Sequence, residues 1–171
     1  MNRAYEREHS LEERVVALLK QRGFTVTTTE SCTGGLLAGR LLNVAGASEV
    51  YKEGYITYSN EAKEKLLEVS KDTLSAYGAV SEQTALEMAQ GAARQAGAQA
   101  ALATTGIAGP DGGTEEKPVG LVYIGCYVNG VTIAEEHLFA GERAQVRALA
   151  VETALGLLER ALQGVGEYTE S

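Results

Sequence analysis

Nine consecutive residues, Thr27-Thr28-Thr29-Glu30-Ser31-Cys32-Thr33-Gly34-Gly35, gather hydroxyls, a carboxylate, a thiol and two glycines into one stretch. A packed core has no use for that chemistry, and the start of a helix needs only one capping hydroxyl. The stretch follows a β-branched run and leads into the apolar run Leu36 to Leu42, so it reads as a junction from strand to helix. Such a junction presents backbone N–H groups at a helix N-terminus, where they can hold an anion or a developing oxyanion. Ser31 is placed to act as a nucleophile beside those donors; the alternative is that it caps the helix. A second polar, glycine-rich stretch, Thr104-Thr105-Gly106-Ile107-Ala108-Gly109-Pro110-Asp111-Gly112-Gly113, leaves the end of a later strand. Open α/β sheets bind ligands at strand ends of this kind, and glycine lets backbone approach a ligand closely. With hydroxyls at both strand exits, the two loops read as the walls of a shared pocket.

Three cationic side chains add to these loops. Lys63 falls in the first turns of a helix opened by Ser59. A helix N-terminus is the unfavourable end for a cation, so its pKa should be lowered, as suits a general base. The alternative is a solvated lysine beside Glu61 and Glu64. Arg143 and Arg147 lie one turn apart near the start of the last helix. They read either as a phosphate clamp or as an exposed pair partnered by Glu142 or another acid. The two histidines, His9 in the N-terminal tail and His137 in a strand, lie far from both loops, which argues against a Ser-His-Asp triad. Cys32 is a rival nucleophile. Neighbours on an extended segment cannot both face one pocket, however, and Cys32 can pack as a small hydrophobe.

The elements that must carry these residues are legible in order. Ser10-Leu11-Glu12-Glu13 is a capping box ahead of a helix that Gly23 can close. Phe24 to Thr29 reads as a strand, Gly35 to Asn43 as a helix, and Tyr51 to Tyr58 as a second strand with Gly54 at a bulge. Asp72 to Tyr77 is a short helical turn. Ser81 caps a helix from Glu82 to Ala96, whose alanines allow close packing, and Gly97 ends it. Ala98 to Thr105 is a strand apolar enough to be covered on both faces. Asn129-Gly130 joins Val119–Val128 to Val131–Phe139 in a hairpin with a type I′ turn. The last helix runs from Gly141-Glu142-Arg143 to about Leu162, with Val146, Leu149, Ala150, Thr153, Ala154, Leu157 and Leu158 facing inward. This order predicts an α/β fold: a three-layer α/β/α sandwich with a mixed, mostly parallel sheet that includes a C-terminal β-hairpin.

Composition narrows the function. With 171 residues, 44% of them hydrophobic, the chain reads as one domain over 1–171, its core about 11–162 and its ends (Met1–His9, Gly164–Ser171) frayed. A net charge of −8 disfavours nucleic acid and anionic membrane surfaces as partners. A few N–H groups and an arginine still suffice for a small anion. Two cysteines without CxxC or Cys/His spacing imply a reducing compartment and no zinc site. Without a signal peptide or an apolar run long enough to span a bilayer, the expected location is the cytoplasm.

Three runs together match a known family: Thr28 to Gly35; Tyr58-Ser59-Asn60-Glu61-Ala62-Lys63; and Gly106 to Gly113 followed by Glu115-Glu116-Lys117-Pro118-Val119-Gly120. Over about Leu11 to Leu162 the chain resembles the CinA C-terminal domain family, the bacterial nicotinamide mononucleotide deamidases, in what looks like a stand-alone form. The resemblance implies hydrolysis of nicotinamide mononucleotide to nicotinic acid mononucleotide and ammonia, a step in pyridine nucleotide recycling. It also implies an α/β/α fold, assembly into homodimers or larger, and no metal or organic cofactor. On that footing Ser31 is the nucleophile and Lys63 the base. Tyr58 would relay a proton or hydrogen-bond the lysine. N–H groups around Thr33, Gly34 and Gly35, or Thr105 and Gly106, would hold the oxyanion, and Arg143 the 5′-phosphate. The role of Glu30 stays open. The alternatives are a non-catalytic nucleotide-binding or regulatory module linked to competence or DNA damage, an enzyme on a related amide, and an interaction protein for DNA uptake or repair.

Overall fold

The computed structural model describes residues 8–164; of the tails expected to fray, only Glu8, His9 and Gly164 fall within that range. Ser10 opens helix α1 (Leu11–Arg22) with the expected capping box to Glu13, and Gly23 closes it at φ 66°. Strand β1 (Val26–Glu30) follows, then helix α2 (Leu36–Leu42), a 3₁₀ turn (Ala47–Glu49), strand β2 (Tyr55–Ile56), and helices α3 (Asn60–Leu67), α4 (Lys71–Tyr77) and α5 (Glu82–Ala96). Strand β3 (Ala100–Gly106), the hairpin strands β4 (Leu121–Val128) and β5 (Val131–Leu138), and helix α6 (Arg143–Gly164) complete the order.

The sheet has five strands in the order β2-β1-β3-β4-β5. β2, β1 and β3 are parallel neighbours, while β4 runs antiparallel to both β3 and β5. Four of the five strands therefore point the same way, in a mixed, mostly parallel sheet. Asn129 and Gly130 turn the hairpin at φ 47° and 94°, the positive values a type I′ turn needs. Helices α1, α2 and α6 cover one face, where Val15, Leu19, Leu37 and Leu155 pack on Leu102 and Ile124. Helices α3, α4 and α5 supply Leu67, Leu74 and Met88 to the other face, against Ala101 and Ala103. The result is the three-layer α/β/α sandwich. The small residues of α5 do permit close approach. A Cβ on its Gly91 would lie 2.1 Å from the Leu67 carbonyl, and one on Gly125 of β4 would lie 2.3 Å from the Ala85 carbonyl.

Two local expectations shift. The segment 51–58 keeps only Tyr55–Ile56 in the ladder, with one isolated bridge from Tyr51 to Val26. Threonine side chains of β1 take over in between: Thr27 Oγ1 donates to the Glu53 carbonyl at 2.8 Å, and Thr28 Oγ1 meets Tyr51 Oη at 2.9 Å. On α6, Val151, Leu155 and Leu162 join the buried face and Leu149 is exposed, because the helix is covered by α1 and α2 as well as by the sheet.

What matters for function is the order β2-β1-β3. The chain leaves β1 toward one side and returns on the other, which opens a crevice at the C-terminal ends of β1 and β3. Glu30 sits opposite Thr104 there, and Ser31 N–H extends the pairing by donating to the Thr104 carbonyl at 2.9 Å. Both polar loops begin at this point.

Candidate active site

Gly34 and Gly35, at φ 55° and 104°, turn the chain from β1 into α2. Gly35 is the N-cap of that helix and offers no side chain. The cap comes from Glu30, whose buried carboxylate accepts from Leu37 N–H at 2.8 Å, Ala38 N–H at 3.0 Å and the Thr33 hydroxyl at 2.7 Å. The helix N-terminus that the sequence offers to a ligand is thus filled by the protein's own Glu30 carboxylate. Arg147 secures the loop from behind, donating to the carbonyls of Cys32 and Thr33 at 2.9 and 3.2 Å. Thr33, Gly34 and Gly35, expected beside the substrate, do not line the cavity. The reason is that this turn closes on itself.

Relieved of capping, Ser31 faces Lys63. Lys63 Nζ lies 3.2 Å from Ser31 Oγ and donates to the Thr57 carbonyl at 2.7 Å. Ser59 Oγ caps α3 by accepting from Ala62 N–H, which sets the lysine one turn in. The Thr57 segment is fixed in turn by its N–H to the Glu30 carbonyl and by its hydroxyl to Thr29 Oγ1, both at 2.9 Å. The lysine is 1% exposed and forms no ion pair among the described residues. Burial lowers its pKa to about 8, against a small opposing effect of Cys32. The direction matches the sequence expectation, but the main cause is desolvation and not the helix N-terminus. Cys32 is packed into the core at the floor of the same cavity, 6% exposed. Burial pushes its thiol up to about 11, so it stays protonated and is a poor nucleophile.

Ser31 and Lys63 open onto a cavity of about 280 Å³ that Tyr58, Thr105, Gly106 and Arg143 also line. Gly106 has no room for a side chain, since a Cβ would lie 2.7 Å from the Leu121 carbonyl. The Thr105 hydroxyl is engaged with the Ala79 carbonyl at 2.7 Å. Arg143 spans the mouth: Nη1 donates to the Gly109 carbonyl at 2.9 Å and Nη2 to Tyr58 Oη at 3.3 Å. Tyr58 therefore meets the arginine, while the lysine's bonds go to Ser31 and Thr57. The two arginines part company, with Arg143 at the cavity and Arg147 serving as a strut.

Sequence reading missed Asn60, Asp111, Ala79 and Val80, which also line the cavity. Asn60 and Asp111 lay inside motifs already singled out. Ala79 and Val80 carry no chemical signal in their side chains. Neither His9 nor His137 lines the cavity; His137 meets Glu135 at 2.9 Å and stacks on Phe139. Among the described residues no group of three His, Cys, Asp or Glu is placed to hold a metal, and no helix is long and apolar enough to cross a membrane.

Fold and site define an α/β/α protein with a serine–lysine pocket at the switch point of its sheet. The CinA C-terminal domain model matches residues 8–162, and the chain belongs to that family. A CinA-like protein of Kosmotoga olearia is 57% identical over 155 residues, which are 91% of this chain and 38% of that protein. The chain thus spans less than two fifths of the curated relative it matches. Among solved structures, the competence/damage inducible protein CihA of Agrobacterium tumefaciens superposes with a TM-score of 0.86 at 46% identity, covering 90% of this chain and 93% of that one. A CinA superfamily protein of Escherichia coli gives 0.83 at 39% identity, covering 88% and 90%.

Proposed function

We propose that the protein hydrolyses the carboxamide of nicotinamide mononucleotide to nicotinic acid mononucleotide and ammonia, with Ser31 as nucleophile and Lys63 as base and then acid. The observation that carries this reading is the 3.2 Å approach of Ser31 Oγ to a lysine that is 1% exposed and has no acidic partner among the described residues. Amides resist hydrolysis because carbon is weakly electrophilic and the amine leaves poorly. Catalysis needs an activated nucleophile, a proton for the leaving nitrogen and donors for the oxyanion. With a pKa of about 8, roughly a tenth of Lys63 is neutral at pH 7.

In that form Nζ takes the Ser31 proton as Oγ bonds to the carboxamide carbon, and the carbonyl π pair moves to oxygen. When the π bond reforms, the C–N bond breaks and nitrogen takes the proton from Lys63, leaving as ammonia. Water then attacks the seryl ester, giving a proton to Lys63, and Ser31 regains it on release of the acid. Arg143 donates to the Gly109 carbonyl and the Tyr58 hydroxyl and forms no ion pair among the described residues. Trading them for the 5′-phosphate gives charge-assisted bonds.

The test is ammonia release by wild type and Ser31→Ala, side by side, from nicotinamide mononucleotide, nicotinamide riboside and nicotinamide. The expected result is turnover of the mononucleotide above the phosphate-free amides, and a loss of about 10⁴-fold or more in Ser31→Ala with its melting transition intact. No ammonia from wild type overturns the reading. Near-normal turnover in Ser31→Ala removes Ser31 as nucleophile.

A further inference from the structure

Ala79 and Val80 line the same cavity as Ser31 and Lys63, and what marks their segment is where its carbonyls go. The Gly78 carbonyl accepts from two hydroxyls, Ser81 Oγ at 3.0 Å and Thr84 Oγ1 at 2.7 Å. The Ala79 carbonyl accepts from Thr105 Oγ1 at 2.7 Å. Thr84 and Thr105 are buried at 0% and 1% exposure, so the carbonyls are tied to fixed points. Both peptide units are trans; among the described residues only Gly109–Pro110 is cis. In a planar trans peptide the N–H points opposite the C=O. The N–H groups opposed to these two carbonyls belong to Ala79 and Val80, and neither meets an acceptor among the described residues. Both residues are half-buried, and a backbone N–H withdrawn from water ordinarily has a partner. Unpaired donors with their direction fixed, on the wall of a cavity that holds a nucleophile, are what a developing oxyanion requires.

We propose that Thr105 is a positioning residue: its hydroxyl holds the Ala79–Val80 peptide so that Val80 N–H, with Ala79 N–H beside it, donates to the oxyanion formed when Ser31 attacks the carboxamide. This rests on the amide-hydrolysis reading and deepens it. The oxyanion donors move from the turn after β1, whose helix amides Glu30 already occupies, to the segment ahead of α5. Attack forms the Oγ–C bond and puts the carbonyl π pair on oxygen. The two N–H groups hold that charge until the π bond reforms and ammonia leaves. The Thr105 side chain acts through the peptide and not on the substrate.

Steady-state ammonia release from nicotinamide mononucleotide by wild type, Thr105→Val and Thr105→Ser tests this. Valine keeps the shape and removes the hydroxyl, and serine restores it. The expected result for Thr105→Val is a fall in kcat of about 10²-fold with KM changed by less than about threefold, and recovery of most of the rate in Thr105→Ser. Pyridine-3-carbaldehyde mononucleotide, whose aldehyde adds Ser31 Oγ to give the same oxyanion geometry, should bind Thr105→Val more weakly by a factor close to the kcat loss. Val80→Pro deletes the N–H itself and should show the same kcat loss with Thr105 untouched. Wild type that releases no ammonia removes the amidase reading and this inference together. Wild type that turns over, while Thr105→Val and Val80→Pro both match it in kcat, removes this inference alone. So does a Thr105→Val loss carried wholly by KM.

Discussion

The turn after β1 and the loop after β3 are both rich in glycine and hydroxyls, and both leave neighbouring parallel strands. In the first, the Glu30 carboxylate takes the amides that open α2, and Arg147 takes the carbonyls of Cys32 and Thr33. In the second, the N–H groups of Ala108 and Gly109 meet no acceptor, and Arg143 is held by the Gly109 carbonyl and the Tyr58 hydroxyl with no carboxylate partner, among the described residues. The difference lies in one residue. A buried carboxylate within reach of a helix N-terminus satisfies its donors, and the turn then acts as a scaffold that aims Ser31. Without such an anion, the loop after β3, which lines the cavity, leaves these amides without an acceptor among the described residues. Glycine and hydroxyl content mark a polar turn; the presence or absence of an internal counter-charge decides whether a ligand can use it.

After Ser31, the largest effect should come from Lys63, which α3 brings to the serine that the first turn aims. Lys63→Met is expected to lower kcat by about 10²–10⁴-fold with KM nearly unchanged. Wild-type kcat/KM should rise with pH through the apparent pKa of about 8. Retained turnover with the same pH profile would place the base elsewhere. The same shift has a consequence for stability. The folded pKa of about 8 lies below the ordinary 10.5, so between those values the unfolded chain binds more protons. Folding stability therefore rises with pH across that window, and the cost of burying the cation, of order 3 kcal/mol, is felt in full below pH 8. Lys63→Met should melt a few degrees above wild type at pH 7, and the gap should shrink by pH 10.

Glu30→Gln tests the scaffold directly. Weakening the cap should cost about 1–3 kcal/mol, seen as a melting temperature lower by about 3–10 °C, with KM barely changed. A raised KM at unchanged melting would make the first turn a ligand site and dissolve the contrast. The smallest effect is expected at Cys32. Its thiol is protonated and buried, so Cys32→Ala should keep turnover within about threefold while losing about 1 kcal/mol of stability to the small cavity it leaves. A loss of activity as large as that of Ser31→Ala would make the thiol the nucleophile.

Much of the fold was legible because its signals are local. Ser10, Ser59 and Ser81 cap helices as their positions suggest, and Asn129-Gly130 turns the hairpin. The misreadings lie where a distant partner decides. Thr27 and Thr28 draw Glu53 and Tyr51 out of regular pairing, and Leu149 is left outside because neighbouring helices set which face of α6 is covered. At the cavity, Ser31, Lys63, Thr105, Gly106 and Arg143 were singled out by residue type and spacing, and Tyr58 by the family resemblance. Ala79 and Val80 were not, since a backbone N–H looks the same at every residue.

By itself, the sequence determined that the chain folds as an α/β/α sandwich, that two polar loops leave its strands, and that a serine, a lysine and an arginine attend them. Periodicity, caps and turn residues act over a few positions and need no partner to be read. Tertiary structure alone decided which loop is closed and which is open, which arginine faces the cavity, and why the lysine is poised. Those properties come from what stands within hydrogen-bonding distance across the fold and from how much water is excluded. Both are set by the order of strands in the sheet, which residue patterns along the chain do not encode locally.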